Sequence, residues 1–535
     1  MSKIALLAIN AKYVHSSLSV WVIAAGVKAY AQTPHEINIV EATIHQENNE
    51  IAERVAANAP DVVGISVYIW NAAKLPEILQ RLRELLPGAK LVLGGPEAAY
   101  NANYWLENGA DCVLQGEGEY TFPALLDEPA QSRKRELRPH ACGEQTPLDP
   151  YCPEYFEKLS GRLAYIETSR GCPFTCAFCL SACSAVRYFP METVKTQLRK
   201  LAKSDARTIK LVDRTFNASA SRAYELFEYI IGLDTECRFH FEVAADLFDE
   251  RTIALLQSAP SGRIQLEAGL QSFFAPALEA AARKTDLNKA ERNIRALLNG
   301  GNIHIHVDLI AGLPYETLDD FKNSFDRAYA LGAHTLQLGF LKLLHGSELR
   351  KQARVLGIEY LPTPPYEIQS SPWLSADDIL TLRQAENALQ HTNNKARFLS
   401  ALEYVLTVSG SRAFELFYAI GGAARNHGTD LSDYAGQILD FCKTLPQVNE
   451  QALKDRMVYD WLSMVKGKNM PESLRNKDNR RSQVIIAAEK HLGRKLRRDE
   501  AAILYSGEGI YADSEDQDPV TGLYRVCTIK SSATP

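Results

Sequence analysis

Ser169–Ala182 reads "SRGCPFTCAFCLSA" and sets three cysteines at C-x-x-x-C-x-x-C, positions 172, 176 and 179. A fourth, Cys183, follows closely, and the other six (112, 142, 152, 237, 442 and 527) are scattered. Three readings compete for such a cluster: a disulfide knot, a zinc knuckle, or the cradle of an iron–sulfur cluster with one iron left open. The N-terminal "MSKIALLAIN" has too short an apolar run for a secretory signal and no small-residue cleavage site after it. A cytoplasmic chain is therefore expected, and ten cysteines in 535 residues do not read as a disulfide framework. Structural zinc takes four protein ligands from paired knuckles, and Cys183 makes no second C-x-x-C. Three thiolates on one short loop suit a four-iron cluster with one iron free for a ligand.

The surroundings of the loop support that choice. "LAYIETS" (163–169) runs straight into it, and strand-like segments recur at "TIKLVD" (208–213), "RFHFEVA" (238–244), "RIQLEAG" (263–269), "IHIHVDLIAG" (303–312) and "HTLQLGFL" (334–341), with helical spacing between them. Six βα units are too few for an eight-fold barrel, so a partial (βα)6 barrel over 161–360 is expected. The cysteine loop would lie at the C-terminal mouth, where such barrels hold their chemistry.

Upstream, residues 1–130 alternate in the same way. Strand patterns at "KIALLAI" (3–9), "EINIVEA" (36–42), "DVVGISV" (61–67), "AKLVLGG" (89–95) and "ADCVLQG" (110–116) alternate with helical ones. Continuous apolar runs of this kind belong to strands covered on both faces, so the expectation is a doubly wound, flavodoxin-like parallel sheet. Residues 131–160, charged and marked by Pro and Gly, read as a linker. From 375 to 535 the pattern becomes mostly helical, as in "DDILTLRQAENAL", with a mixed and more basic end.

Net charge is −6, so no global basic footprint points to nucleic acid, and no apolar run approaches the ~20 residues of a membrane span. Residues 475–498 hold nine Lys/Arg against two acids, read here as a solvated helix face.

The cysteine pattern, with the aromatic Phe178 before its last member, resembles the signature of the radical SAM superfamily. That resemblance implies a 4Fe-4S cluster on Cys172, Cys176 and Cys179, whose open iron binds S-adenosylmethionine (SAM) and yields a 5′-deoxyadenosyl radical. It implies a SAM contact for Phe178 and extends through "LVDRTFN", where Asp213-Arg214-Thr215 stands in place of the usual Gly-Gly-Glu-like loop and Asp213 is the implied contact to the SAM amine, without matching the pattern. "LEAGLQSF" resembles the strand of the branch that includes coproporphyrinogen dehydrogenase, implying SAM contacts for Glu267, Gln271 and the downstream Arg283. "DLIAGLP" implies an adenine contact near Gly312. Plainer readings stand beside these: Glu267 or Gln271 bridging strands, and Gly312 turning the chain.

The first domain resembles the cobalamin-binding domains fused to radical SAM barrels, on "VLGGPEA" followed by "DCVLQGEGE". Its D-x-H-x-x-G motif is absent. His15 stands in a loop of different context and reads as a hydrogen-bonded loop histidine. The resemblance implies a corrin lined by Tyr68 and Trp70, with Gly94, Gly95 and Gly116 admitting the nucleotide tail. Those aromatics read otherwise as packing, and the glycines as strand ends. Glu117 and Glu119 read as residues that pair with a partner or cap the following helix N-terminus.

The whole implies an enzyme using cobalamin, SAM and the cluster to methylate an unactivated carbon of a substrate, small molecule or other, that the motifs do not name, fed by an electron donor such as flavodoxin or ferredoxin. Radical rearrangement or oxidative cyclisation, tRNA modification, and a non-enzymatic corrinoid or iron–sulfur sensor are the alternatives.

Overall fold

The structure is a computed structural model, describing residues 2–128, the backbone of 135–137, and residues 147–182, 184–424 and 430–529. Two compact units divide the chain. One comprises Met1–Leu255, Glu279–Lys284 and Phe340–Pro372, and the other Leu256–Leu278, Thr285–Gly339 and Trp373–Pro535.

The first unit begins with a parallel sheet of β1 (Lys3–Asn10), β2 (Glu36–Thr43), β3 (Val62–Ser66), β4 (Lys90–Gly94), β5 (Cys112–Leu114) and β6 (Arg135–Leu137). Its order is β2-β1-β3-β4-β5-β6. The chain direction of the sheet order reverses between β1 and β3, so the loops after these strands flank a crevice at their C-terminal ends. Apolar runs such as Ile4–Ile9 are buried because helices cover both faces. Helices Leu18–Tyr30 and Gly118–Leu126 pack together, as do Asn48–Ala56 and Leu75–Leu85. The second pair shares a core of Ile51, Val55, Leu75, Ile78, Leu79 and Leu82 with the strands.

Five of the six strands stand where the apolar runs place them. The sixth, β6, lies within the stretch read as a linker and pairs with β5. Three residues, two of them charged, leave no periodicity to read, and charge is usual at a sheet edge. Residues 153–159 of the same stretch form a helix with Pro153 in its first turn, and Tyr155 packs edge-on against Trp21 at 5.5 Å.

The same unit then holds β7 (Ala164–Ile166), β10 (Thr208–Leu211) and β11 (Arg238–Val243), with β10 parallel to both others. Between β7 and β10 an antiparallel hairpin intervenes, β8 (Ser169–Cys172) with β9 (Ser184–Tyr188).

The second unit holds β12 (Ile264–Gln271), parallel to β13 (His304–Ala311), and then β14 (Thr335–Phe340). Every second residue of β12 and β13 is buried and the intervening ones are half-buried, so each strand has an apolar and a polar face. Helix Leu318–Tyr329 starts with a capping box of Thr317 and Asp320. Its Asp326 takes hydrogen bonds from Arg412 Nε (2.6 Å) and the Phe414 N–H (2.7 Å), docking the helix Ala413–Ala423.

Helices dominate from Ala376 to Leu492, and a three-stranded antiparallel sheet of β17 (Ala501–Ile503), β18 (Gly509–Gln517) and β19 (Tyr524–Ile529) follows them. The short antiparallel pair β15 (Glu359–Tyr360) and β16 (Ile368–Ser370) belongs to the first unit. The loop between β18 and β19 reaches the N-terminal end of β13, where His304 Nδ1 lies 3.1 Å from the Val520 carbonyl oxygen.

Candidate functional site

The cysteine loop is closed by the β8–β9 hairpin. Register slips by one residue between Arg170 and Cys172, and Gly171 sits at φ +101°. A Cβ there would lie 2.3 Å from the Ala185 carbonyl oxygen, so only glycine fits between Arg170 and Cys172. Ser184 ties the hairpin to the loop: its hydroxyl accepts from the Cys172 N–H (3.0 Å) and donates to the Ser181 carbonyl (2.8 Å). A turn closed by the Cys179 N–H and the Cys176 carbonyl (3.0 Å) carries half-buried Phe178.

Each of the three sulfurs has a polar neighbour. Thr215 Oγ1 is 3.6 Å from Cys172 Sγ, Arg283 Nη1 is 3.6 Å from Cys176 Sγ, and the Ser181 N–H is 3.4 Å from Cys179 Sγ. Among the described residues none of the three is in a disulfide. Burial pushes the Cys179 thiol up, against the pull of the Ser181 N–H and Arg214. A bound cation would reverse that balance. Three free thiols on one stiff loop, each beside a polar group, fit a three-cysteine iron–sulfur cluster. Cys183 lies outside the described residues.

Asp213 is 1% exposed and accepts from the Thr168 N–H (3.0 Å), the Thr168 hydroxyl (2.7 Å) and the Ser169 hydroxyl (2.5 Å). It anchors the chain just before the hairpin, while Thr215, two residues on, reaches the cysteines. Arg283 also lies over the Phe174 ring, 5.4 Å from its centre.

In the second unit, Gln271 ends β12 at a bulge with φ +70°, and its side-chain oxygen is buried with no hydrogen-bond partner among the described residues. Such an orphaned acceptor costs about 1–3 kcal/mol and suits a ligand's donor. Glu267 Oε2 lies 3.8 Å from His306 Nδ1, and His306 Nε2 lies 2.9 Å from Asp308 Oδ1. Glu267 thus bridges β12 to β13. Burial pushes the Asp308 carboxyl up; His306 opposes this and Glu267 adds to it. His306 was not singled out by its sequence context; only the alternation of β13 marks it. Gly312, after β13, has φ +93° and turns the chain.

At the C-terminal edge of the first sheet, Tyr68 and Trp70 stack with ring centres 4.4 Å apart and planes 6° from parallel. The Trp70 indole N–H donates to the Ile9 carbonyl at 3.0 Å, so the loop after β3 is pinned to the end of β1. Asn71, fully buried, completes the tie by donating to the Ile9 and Ser66 carbonyls. Trp70 remains 45% exposed, as Tyr13 and Tyr100 also are in large part. Gly95 has φ +95°, and a Cβ on it would meet the Val67 carbonyl oxygen at 2.7 Å. A Cβ on Gly94 would make ordinary contact with the Leu114 side chain at 3.9 Å, and Gly116 turns the chain at φ +80°. His15 Nδ1 is 2.5 Å from the Tyr165 hydroxyl, and burial pushes its imidazole pKa down. Glu117 and Glu119 pair with Arg187 and Arg170. Glu117 stands at the N-cap of the following helix without a side-chain capping bond.

Three arginines of the basic stretch near the C-terminus are paired within their own unit. Arg480 meets Asp478, Arg494 meets Asp513, and Arg497 meets Asp499 and Glu500. Among the described residues no helix is long and apolar enough to cross a membrane.

Comparison with known proteins agrees with this layout. The family model "B12 binding domain" matches residues 4–126, "Radical SAM superfamily" matches 166–328, and "Protein of unknown function (DUF4080)" matches 355–503. A curated relative, 2-(S-pantetheinyl)-carbapenam-3-carboxylate methyltransferase of Streptantibioticus cattleyicolor, is 25% identical over 313 residues, covering 51% of this chain and 46% of its own. The hopanoid C-3 methylase of Methylococcus capsulatus is 25% identical over 301 residues, covering 52% and 58%. The chain thus spans about half the length of the curated relatives it matches. Among solved structures, the radical SAM methyltransferase TsrM from Kitasatospora setae aligns with TM-score 0.53 at 17% identity, over 70% of this chain and 80% of its own. The cobalamin-dependent SAM radical enzyme OxsB aligns with TM-score 0.57 at 13% identity, over 86% and 78%. These two likenesses concern fold. The chain thus carries a B12-binding domain ahead of a radical SAM domain that holds the three-cysteine loop.

Proposed function

We propose that the protein is a cobalamin-dependent radical SAM methyltransferase acting on an unactivated carbon of a small molecule. The observation that carries this reading is the hairpin loop with three free thiols and a polar partner at each sulfur, in a chain that also holds a B12-binding domain. When bound, the cluster with SAM supplies a hydrogen-abstracting radical, and methylcobalamin supplies the methyl group.

The protein's own share is placement. Cys172, Cys176 and Cys179 would hold the cluster, and Phe178 shapes the turn between the last two. Arg283 would balance thiolate and SAM-carboxylate charge. Gln271 would offer its orphaned oxygen to the SAM ribose, with Glu267 beside it and Gly312 allowing adenine to approach. Asp213 would act as a positioning residue through Thr168 and Ser169. Tyr68, Trp70, Gly94, Gly95 and Gly116 would border the corrin. A flavodoxin or ferredoxin would feed electrons. The domain limits proposed are 1–130, 161–360 and 375–535, joined by 131–160. The relatives named as methyltransferases support methylation.

The test needs no substrate. Protein reconstituted with iron, sulfide and hydroxocobalamin is reduced without oxygen and given SAM carrying a carbon-13 methyl group. Labelled methylcobalamin on the protein supports the reading. Loaded protein that leaves the cobalt unmethylated refutes it.

A further inference from the structure

Two arginines of the cysteine hairpin are spent on one loop of the B12-binding domain. Arg170, on β8 and two residues before Cys172, places Nη1 2.7 Å from Glu119 Oε1 and 3.2 Å from Glu117 Oε1. Its other face forks onto Glu167, with Nε 2.9 Å from Oε1 and Nη2 2.6 Å from Oε2. Arg187, on the opposite strand β9, places Nη2 2.6 Å from Glu117 Oε1. Both guanidiniums flank the buried Phe189 ring, at 5.9 and 6.0 Å from its centre. Two positive charges therefore meet three carboxylates across residues 115–120 and the hairpin.

The geometry suits registration more than bulk stability. A half-buried network of this kind returns little net folding energy against desolvation, but it admits one arrangement and disfavours others. The partners also lie on stiff supports. Arg170 precedes Gly171, which no side chain can replace, and Glu119 opens a helix whose backbone touches Gly26 so closely that a Cβ there would lie 2.2 Å from the Glu119 carbonyl oxygen.

We infer that Arg170 and Arg187 are positioning residues that fix the Glu117–Glu119 loop of the B12-binding domain against the cysteine hairpin, and so set the separation of cobalt from the iron–sulfur cluster. The inference rests on the function proposed above. It gives Glu117 and Glu119 a task distinct from touching either cofactor: a misplacement of about 1 Å between reacting groups can cost on the order of 10²-fold in rate.

The separation can be read without any substrate. Reduced protein loaded with cob(II)alamin carries one unpaired spin on cobalt and one on the cluster, and pulsed electron paramagnetic resonance reports their distance. The wild type is expected to give one narrow distance. Arg170→Gln and Glu119→Gln are each expected to broaden or lengthen it by about 1 Å or more, with iron content and bound cobalamin unchanged. Arg170→Lys, which keeps the charge but loses the fork, is expected to fall between. Arg187→Gln provides a second, independent variant should a change at Arg170 unfold the hairpin. Variants that keep the wild-type distance while both spins are present overturn the inference alone. A wild type that holds no cobalamin or no cluster overturns the proposed function, and this inference with it.

Discussion

Arg283 presents an N–H to the sulfur of Cys176 at 3.6 Å while its guanidinium covers the Phe174 ring. A permanent cation is thus held at the middle ligand of the loop. Removing it with Arg283→Gln is expected to make the reconstituted cluster harder to reduce, by on the order of tens of millivolts, because the reduced cluster carries the extra negative charge. Arg283→Lys should recover part of the shift. A potentiometric titration followed by electron paramagnetic resonance checks both.

The three cysteines of the loop should be individually indispensable. Serine at 172, 176 or 179 is expected to abolish a four-iron cluster after reconstitution, measured as iron per chain and as visible absorbance. Serine at Cys183 should leave iron content unchanged, since three thiolates suffice and the fourth position is left to SAM.

Trp70 is half exposed yet held by stacking on Tyr68 and by its bond to Ile9. If it borders the corrin, Trp70→Ala should weaken hydroxocobalamin binding by about tenfold or more, as loss of a large flat contact does. Equilibrium dialysis measures this. Gly95→Ala should lower the thermal midpoint even without cobalamin, because its Cβ meets backbone.

Glu316 is buried, and its carboxylate oxygen accepts from the Ser272 hydroxyl at 2.5 Å. Burial, outweighing the hydroxyls of Ser272 and Ser324, raises its pKa from 4.5 to about 7. The folded state therefore holds a proton that the unfolded chain releases above pH 4.5, and stability falls as pH rises from 4.5 to about 7. The loss attributable to this group is on the order of 3 kcal/mol, complete above pH 7. Glu316→Gln should remove that dependence and leave the variant relatively more stable at pH 8 than at pH 5, as thermal unfolding at the two values would show.

Much of this was legible in the chain itself. Long apolar strands such as Lys3–Asn10 and helices with regular spacing announce themselves, because burial on both faces leaves a continuous pattern. The short edge strand Arg135–Leu137 does not, having too few residues to carry a period. The cysteine loop was visible as a motif, but the hairpin that closes it was not, since Ser184–Tyr188 carries polar side chains on both faces. Glu117 and Glu119 could be read as pairing or capping, and only the fold brings Arg170 and Arg187 to them. Asp213 falls where the SAM-amine loop is expected without matching its pattern, and its burial beneath Thr168 and Ser169 depends on contacts between segments far apart in sequence. His306 meets Asp308 within β13 and Glu267 across the β12–β13 ladder, and no local signal reveals the latter.

The most direct test is anaerobic. The protein is reconstituted with iron and sulfide, loaded with cobalamin, reduced and given SAM, and 5′-deoxyadenosine is measured by mass spectrometry against the Cys176→Ala variant. Radical SAM chemistry predicts the nucleoside from the wild type and none from the variant. A wild type that holds its four-iron cluster and yields no 5′-deoxyadenosine would contradict it.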